Sequence, residues 1–296
     1  MIRTLGTVFA GLLGLAFGSF LNVCLSRWPA GESIVRPRSH CRNCAHTLSW
    51  WENVPLVSWL ALRGRCRSCR AWIGWRYPLV ELAVAALWAL QVWRLTDHIF
   101  SDLLGTAPEV HFNFFYPIAP LGMMIFSWLL VALAVLDSEH LWLPDFLTLT
   151  GIALGILYSV ALEAQTGLEL DILHAAWKAF AVRSLAILAA AALVLLIRWL
   201  YWLIRRREGI GLGDAKLMAL LAAWLGLPGA LLAFGLGVVL GAVVALILLA
   251  IPAARTGTET WALKKLPLGT FLCIGGIVSA LWGQPLLHAY LRWAGF

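Results

Sequence analysis

Two aspartates and two pairs of cysteines are the residues whose type and spacing could do chemistry here. Asp137 follows about twenty apolar residues, in the run Leu136-Asp137-Ser138-Glu139-His140-Leu141-Trp142-Leu143-Pro144-Asp145. Asp214 stands 77 positions later, in Gly209-Ile210-Gly211-Leu212-Gly213-Asp214-Ala215-Lys216. A carboxylate within a membrane costs about 2.5–3.5 kcal/mol on insertion scales and therefore marks function. Two of them brought to about 4 Å repel by around 4 kcal/mol at an effective dielectric near 20. One then keeps a proton while the other stays ionised. The ionised member can take a proton from water, and the protonated member can polarise a peptide carbonyl. This is aspartyl peptidase chemistry. The sequence offers no serine or cysteine nucleophile with a nearby base and no HExxH zinc motif to compete with it.

Each acidic residue also has a plainer use. Asp145 follows Pro144 and precedes Phe146-Leu147-Thr148, where a helix N-cap belongs, and it is read as a cap rather than a catalytic group. Asp214 alone would serve equally well as an N-cap, and the alternating glycines before it as a hinge or a point of close backbone approach. Those glycines fail as a phosphate fingerprint, because no strand precedes them and their spacing is wrong. Glu139 and His140 read as solvated loop residues. The pairing of Asp137 with Asp214, on different apolar segments at one membrane boundary, sets these two apart as the catalytic candidates.

Cys41-x-x-Cys44 and Cys66-x-x-Cys69 lie in a long basic loop. Each CxxC lets two sulfurs reach one ion from a tight turn, and two such turns complete a tetrahedral site. Thiolates favour zinc over harder cations, and four of them leave no open coordination position, so the metal is expected to be structural. A loop of about 50 residues with little core of its own needs such a staple. Disulfides are disfavoured if the loop is cytoplasmic and reducing. His40 and His46 flank the first pair and are read as bystanders, while Cys24 and Cys273 fall within apolar segments and read as packing residues.

The elements that must position these groups are membrane helices. Of 296 residues, 61% are hydrophobic and 12% charged, with a mean hydropathy of +0.85; soluble domains carry about 25% charged residues. The apolar residues fall into eight expected spans: Leu5–Leu25, Pro78–Val92, Pro117–Leu136, Phe146–Leu162, Ala175–Ile197, Ala215–Leu225, Gly229–Ile251 and Leu266–Trp282. The first lacks a small-x-small cleavage site and is read as a retained span rather than a signal peptide. The expected fold class is therefore an all-α polytopic membrane protein. Its expected parts are a first helix (1–26), a four-cysteine zinc domain (27–77) and a seven-helix membrane domain (78–296).

Arg27–Arg76 carries nine basic residues, Arg198–Lys216 five and Arg255–Lys265 three, whereas Asp97, Asp102, Glu109, Glu163, Glu169 and Asp171 lie in the alternate loops. The positive-inside rule places the cysteine loop in the cytoplasm and both termini outside. It also places Asp137–Asp145 on the cytoplasmic side, although that stretch has no Lys or Arg. The net charge of +7 thus serves topology, and no nucleic-acid partner is expected.

With these residues in hand, the chain resembles the bacterial type IV prepilin leader peptidases, which also serve type II secretion pseudopilins. Gly18-Ser19-Phe20-Leu21-Asn22-Val23 with Arg27 and Pro29, the two CxxC pairs, Trp51-Glu52-Asn53-Val54-Pro55-Leu56-Val57-Ser58 and Arg76-Tyr77-Pro78-Leu79-Val80-Glu81 carry the resemblance. So do Asp137 and Gly211-x-Gly213-Asp214-x-Lys216, which fall on the family's two catalytic aspartates. The resemblance implies an inner-membrane enzyme that cleaves the basic leader of prepilins after a glycine on the cytoplasmic side. It further implies methylation of the new N-terminus with S-adenosylmethionine, for which no residue site is legible. Two positions depart from the family pattern: Arg42 stands where proline usually follows the first cysteine, and Pro267-Leu268-Gly269-Thr270 replaces a Pro-Phe/Tyr-Gly-Pro pattern. Neither departure is expected to touch a ligand or a catalytic carboxylate. The rival readings are an assembly scaffold without catalysis, which leaves the aspartates without a role, and a proton-coupled transporter, which would need ionisable groups deeper in the spans.

Overall fold

The computed structural model describes residues 2–104, 118–166, 172–207, 211–250 and 266–295. Every regular element among them is helical: α1 (Ile2–Arg27), α2 (Val57–Ala61), α3 (Arg76–Leu104), α4 (Ile118–His140), α5 (Asp145–Thr166), α6 (Ile172–Arg205), α7 (Leu212–Ala250) and α8 (Leu268–Trp293), with one 3₁₀ turn at Trp50–Asn53. Pro117, Glu109, Glu169, Asp171, the pair Gly209-Ile210 and the basic stretch Arg255–Lys265 lie outside the described residues. The chain forms two compact units, Met1–Ala132 and Leu133–Phe296.

In the first unit α1 packs along α3 through a small-residue stripe. A Cβ placed on Gly14 would stand 2.6 Å from Ala85 Cα, and one on Gly18 would stand 2.7 Å from Glu81 Cα. Spaced four apart, these glycines let two backbones touch, as small residues do between membrane helices. Asn22, one turn on, donates from Nδ2 to Tyr77 O at 2.9 Å, tying the end of α1 to the start of α3.

The all-α class holds, and the helix count differs from expectation. Among the described residues six helices are long and apolar enough to cross a membrane: α1, α4, α5, α6, α7 and α8. Helix α3, whose apolar run contains Glu81, falls outside that set. Helix α7 joins the expected sixth and seventh spans into 39 residues, about 58 Å at 1.5 Å per residue, nearly twice a bilayer core of about 30 Å.

It does not cross as one rod. Gly226 takes φ 72° and ψ 175° inside α7, and Pro228 follows it. Side chains there strongly disfavour positive φ, and an added Cβ would stand 2.8 Å from Arg183 Nη1. Beyond the break α7 runs antiparallel to α8. Ser279 Oγ donates to Gly229 O at 2.9 Å, the Gly237 Cβ position faces Leu272, and the Gly241 Cβ position faces Phe271. The break thus divides α7 into two helical segments.

Candidate active site and metal centre

The cysteine site is built from two copies of one turn. Ala45 N donates to Cys41 O and Cys41 N to His46 O, both at 2.9 Å; Arg70 N donates to Cys66 O at 3.0 Å and Cys66 N to Ala71 O at 2.9 Å. Each turn is closed by an isolated bridge, His40 with Thr47 and Arg65 with Trp72. In each the residue after the second cysteine is left-handed, Ala45 at φ 57° and Arg70 at φ 59°. The four sulfurs lie within 4.8 Å of one another, with Cys41 3.8 Å from Cys69 and Cys44 3.9 Å from Cys66. A tetrahedral site with metal–sulfur bonds of about 2.3 Å has sulfurs about 3.8 Å apart, so the donors fit one ion. The Ala71 backbone N–H, followed by Asn43 Nδ2 at 3.6 Å, pushes the Cys69 thiol down to about 6. That favours the thiolate a metal requires.

The histidines stand apart, as expected. His40 Nδ1 reaches Arg38 O at 3.0 Å and His46 Nε2 reaches Glu52 Oε2 at 3.4 Å. Glu52 also accepts from Ser49 N at 2.8 Å, in a capping box that starts the 3₁₀ turn.

The second unit holds both aspartates, Asp137 on α4 and Asp214 on α7. Helix α4 runs through His140, so Asp137 opens its last turn rather than a loop, and it is 6% exposed. Its Oδ2 accepts from Thr270 N at 2.6 Å and from Thr270 Oγ1 at 3.1 Å. Thr270 is the third residue of α8, whose cap is Pro267, so Asp137 answers the unpaired first-turn amides of another helix at its positive end. Thr270 Oγ1 also lies 3.0 Å from Ala134 O.

Asp214 occupies the third position of α7 and its Oδ2 accepts from Gly211 N at 3.1 Å, the reach-back half of a capping box. Asp137 and Asp214 lie within electrostatic reach of one another, and Cys273, fully buried, lies within reach of both. Leu143 packs against the starts of α7 and α8: its Cδ1 stands 3.2 Å from the Gly213 Cβ position and 3.1 Å from that of Gly269.

Three readings of the sequence change here. Asp145 is the first residue of α5, one place inside the cap position, and its Oδ1 accepts from Lys216 Nζ at 2.5 Å. The pair is 61% and 39% exposed, so it orients the two helix starts more than it stabilises them. Glu139 and His140 belong to the last turn of α4, 3.8 Å apart, rather than to a loop. The departure at Gly269-Thr270 touches Asp137 directly. Type and position carried a signal, since a glycine and a threonine in a helix's first turn suit close approach and donation, but nothing in the sequence says which carboxylate they meet.

Stacked apolar helices of this length, with two carboxylates anchored at helix ends, define a multi-pass membrane protein. The chain belongs to the type IV leader peptidase family. That family matches residues 124–246, and the bacterial peptidase A24 N-terminal domain matches residues 12–95. The chain is 34% identical to the Pseudomonas aeruginosa protein named prepilin leader peptidase/N-methyltransferase, over 96% of this chain and 93% of that one. A Stutzerimonas stutzeri protein of the same name is 34% identical over the same shares. A third, from Myxococcus xanthus, is 38% identical over 88% of this chain and 68% of its own length. No solved structure matches the chain significantly.

Proposed function

We propose that this protein is an inner-membrane endopeptidase that removes the leader of type IV prepilins and type II secretion pseudopilins and then methylates the new N-terminus. Asp137 and Asp214 are its catalytic pair. The observation that supports the reading is their placement: two carboxylates 77 residues apart in sequence, one on α4 and one at the start of α7, lie within electrostatic reach of one another.

Each carboxylate is anchored through Oδ2, which leaves Oδ1 for the reaction. Asp137, facing two Thr270 donors and the positive end of α8, carries the negative charge. It takes a proton from water as the water oxygen attacks the scissile carbonyl. Asp214 gives its proton to the carbonyl oxygen, and when the C–N bond breaks the departing amine takes a proton back from the pair. By the positive-inside rule this edge faces the cytoplasm and both termini lie outside. A prepilin's apolar helix can then stay in lipid while its basic leader reaches the site. The acidic Asp137–Asp145 stretch suits that leader less than its composition suggests, since Asp137 is buried and Asp145 already faces Lys216.

Zinc is the ion we assign to Cys41, Cys44, Cys66 and Cys69, on the softness of four thiolates and their spacing. Replacing Cys66 with Ser is expected to abolish stoichiometric zinc in the purified protein, read by elemental mass spectrometry, and to lower its melting temperature. Zinc retained at one per chain would remove the assignment. S-adenosylmethionine is the methyl donor of this reading and supplies an electrophilic methyl group on a sulfonium.

Thr270 tests the anchoring of Asp137. Thr270→Val keeps the backbone donor and loses the hydroxyl, a bond to a charged group worth about 1.5–3 kcal/mol; kcat is expected to fall roughly tenfold with KM unchanged. Thr270→Ser restores it. Equal rates for both variants would mean that the hydroxyl serves Ala134 alone.

The reading as a whole is tested by incubating the purified protein with a prepilin and S-adenosylmethionine and weighing the products. A shortened chain with one added methyl group is expected; an unshortened chain would refute it.

A further inference from the structure

Helix α3 presents three faces. Glu81, Ala85 and Ala89 meet Gly18, Gly14 and Gly11 of α1. Trp88 Nε1 donates to Met124 O at 3.1 Å and Gln91 Nε2 to Met123 O at 3.2 Å, so a second face lies on α4. Leu79, Leu82 and Ala86 share the third face at helical spacing, and all three are exposed. Trp75 extends this face one turn beyond the helix start, since Leu79 N donates to its carbonyl at 3.1 Å. The neighbouring α1 is long and apolar enough to cross a bilayer, so an apolar stripe on the helix packed along it suits acyl chains.

The stripe does not stop where the helix does. Trp75 packs on Trp59 with ring centroids 4.6 Å apart, and Trp72 lies 5.9 Å from each. Gly64, at φ 66°, makes room for them: its Cβ position stands 2.8 Å from Trp72 Cζ3 and 2.9 Å from Trp59 Cζ2. Trp59 Nε1 donates to Ile73 O at 3.1 Å. Although they pack together, Trp72 and Trp75 remain more than half exposed, as do Val57 and Leu60 on the outer side of α2. Exposed apolar surface gathered in one place marks a contact with something other than water. Indoles, apolar with one polar N–H, suit a membrane–water interface.

The charge of the same segment is one-sided. Between Glu52 and Glu81 it holds Arg63, Arg65, Arg67, Arg70 and Arg76 and no Asp or Glu. Arg63, Arg65, Arg67 and Arg70 are all exposed. Arg65 is paired with Trp72 across the bridge that closes the second cysteine turn, which puts a guanidinium beside the indole. Basic side chains next to exposed aromatic ones match the phosphates and the apolar edge of an anionic lipid surface. Continuity with the outer stripe of α3 favours lipid over a protein partner.

We propose that Trp59, Trp72 and Trp75, with Val57 and Leu60, form an anchor seated in the headgroup region of anionic phospholipid. It lays the Cys66–Cys69 turn, whose closing bridge includes Trp72, against the bilayer beside the start of α3. The anchor is independent of the cleavage chemistry: it holds the four-cysteine site at the lipid surface rather than free in solution.

The test places the photoreactive residue benzoylphenylalanine at position 60, and separately at position 57, of the full chain. Each protein is held in nanodiscs of equal parts phosphatidylcholine and phosphatidylglycerol. Mass spectrometry after irradiation is expected to find phospholipid adducts at these positions, with phosphatidylglycerol favoured at least about threefold. Arg65→Gln combined with Arg70→Gln should bring that ratio close to unity. Melting temperature and zinc content identify any variant that fails to fold, and one folded probe position suffices. No phospholipid adduct from a folded chain overturns the anchor, and so does equal capture of the two lipids by a chain with its arginines intact. Capture of a protein in native membranes, in place of lipid, gives the face to a protein partner and overturns it as well.

Discussion

Asp137→Asn and Asp214→Asn are each expected to lower kcat/KM for leader cleavage by about 10³–10⁴-fold, the scale of losing an essential acid or base, while the protein remains folded. Asn keeps an oxygen that can accept from Thr270 N or Gly211 N, so both anchors survive the substitution. It also removes an ionisable group held near a second carboxylate in an apolar setting, so the melting temperature should hold or rise. The two changes should not multiply: a pair that shares one proton fails once when either member is lost, and the double variant should be about as slow as each single one. Cleavage of a prepilin followed by mass spectrometry reads the effect, and thermal melting in the same detergent reads the fold. Near-normal cleavage by either variant would remove that residue from the reaction. An assembly scaffold would be indifferent to both substitutions, which is how the two classes of function separate.

Much of this was legible in the sequence, because apolar runs and cysteine spacing are local signals. Eight apolar segments fix where helices lie, and C-x-x-C repeated twice fixes a tetrathiolate site whatever the intervening chain does. The two aspartates stand out in the sequence for a different reason: a carboxylate at the edge of an apolar run is costly enough to need a use.

What surrounds them was not legible. Asp145 looked like a cap because it follows proline at a helix start, yet helix α5 begins at Asp145 itself and its side chain turns to Lys216, 71 residues away. Asp137 closes an apolar run in the sequence, and it is enclosed because α8, which comes 131 residues later in the chain, donates its first turn to it. Contacts of that range depend on how α7 folds back at Gly226. The sequence marks that turn with Gly226-Leu227-Pro228-Gly229 but does not say what it brings together.

Gly269→Ala is the change expected to do the most damage without removing any reacting atom. The added methyl would lie 2.9 Å from both Cγ and Oδ2 of Asp137 and 3.1 Å from Leu143 Cδ1. These are side-chain atoms, but neither side chain is free to swing away. Asp137 is pinned to Thr270 on the same turn of α8, and Leu143 packs against Gly213 beside Asp214. Relief therefore requires either carboxylate or α8 to move by several tenths of an ångström, and misplacement on the order of 1 Å costs about 10²-fold in a positioned reaction. Cleavage should fall by roughly tenfold and at most about that far. Overpacking of this kind also costs about 1–3 kcal/mol of stability, so a modest drop in melting temperature is expected alongside. The signature that separates displacement from general damage is the zinc site: it lies in the other compact unit, and Gly269→Ala should leave its metal content at one ion per chain. A variant that cleaves at the normal rate would show that Asp137 does not need its seat against α8, and the catalytic geometry argued from Thr270 would fall with it.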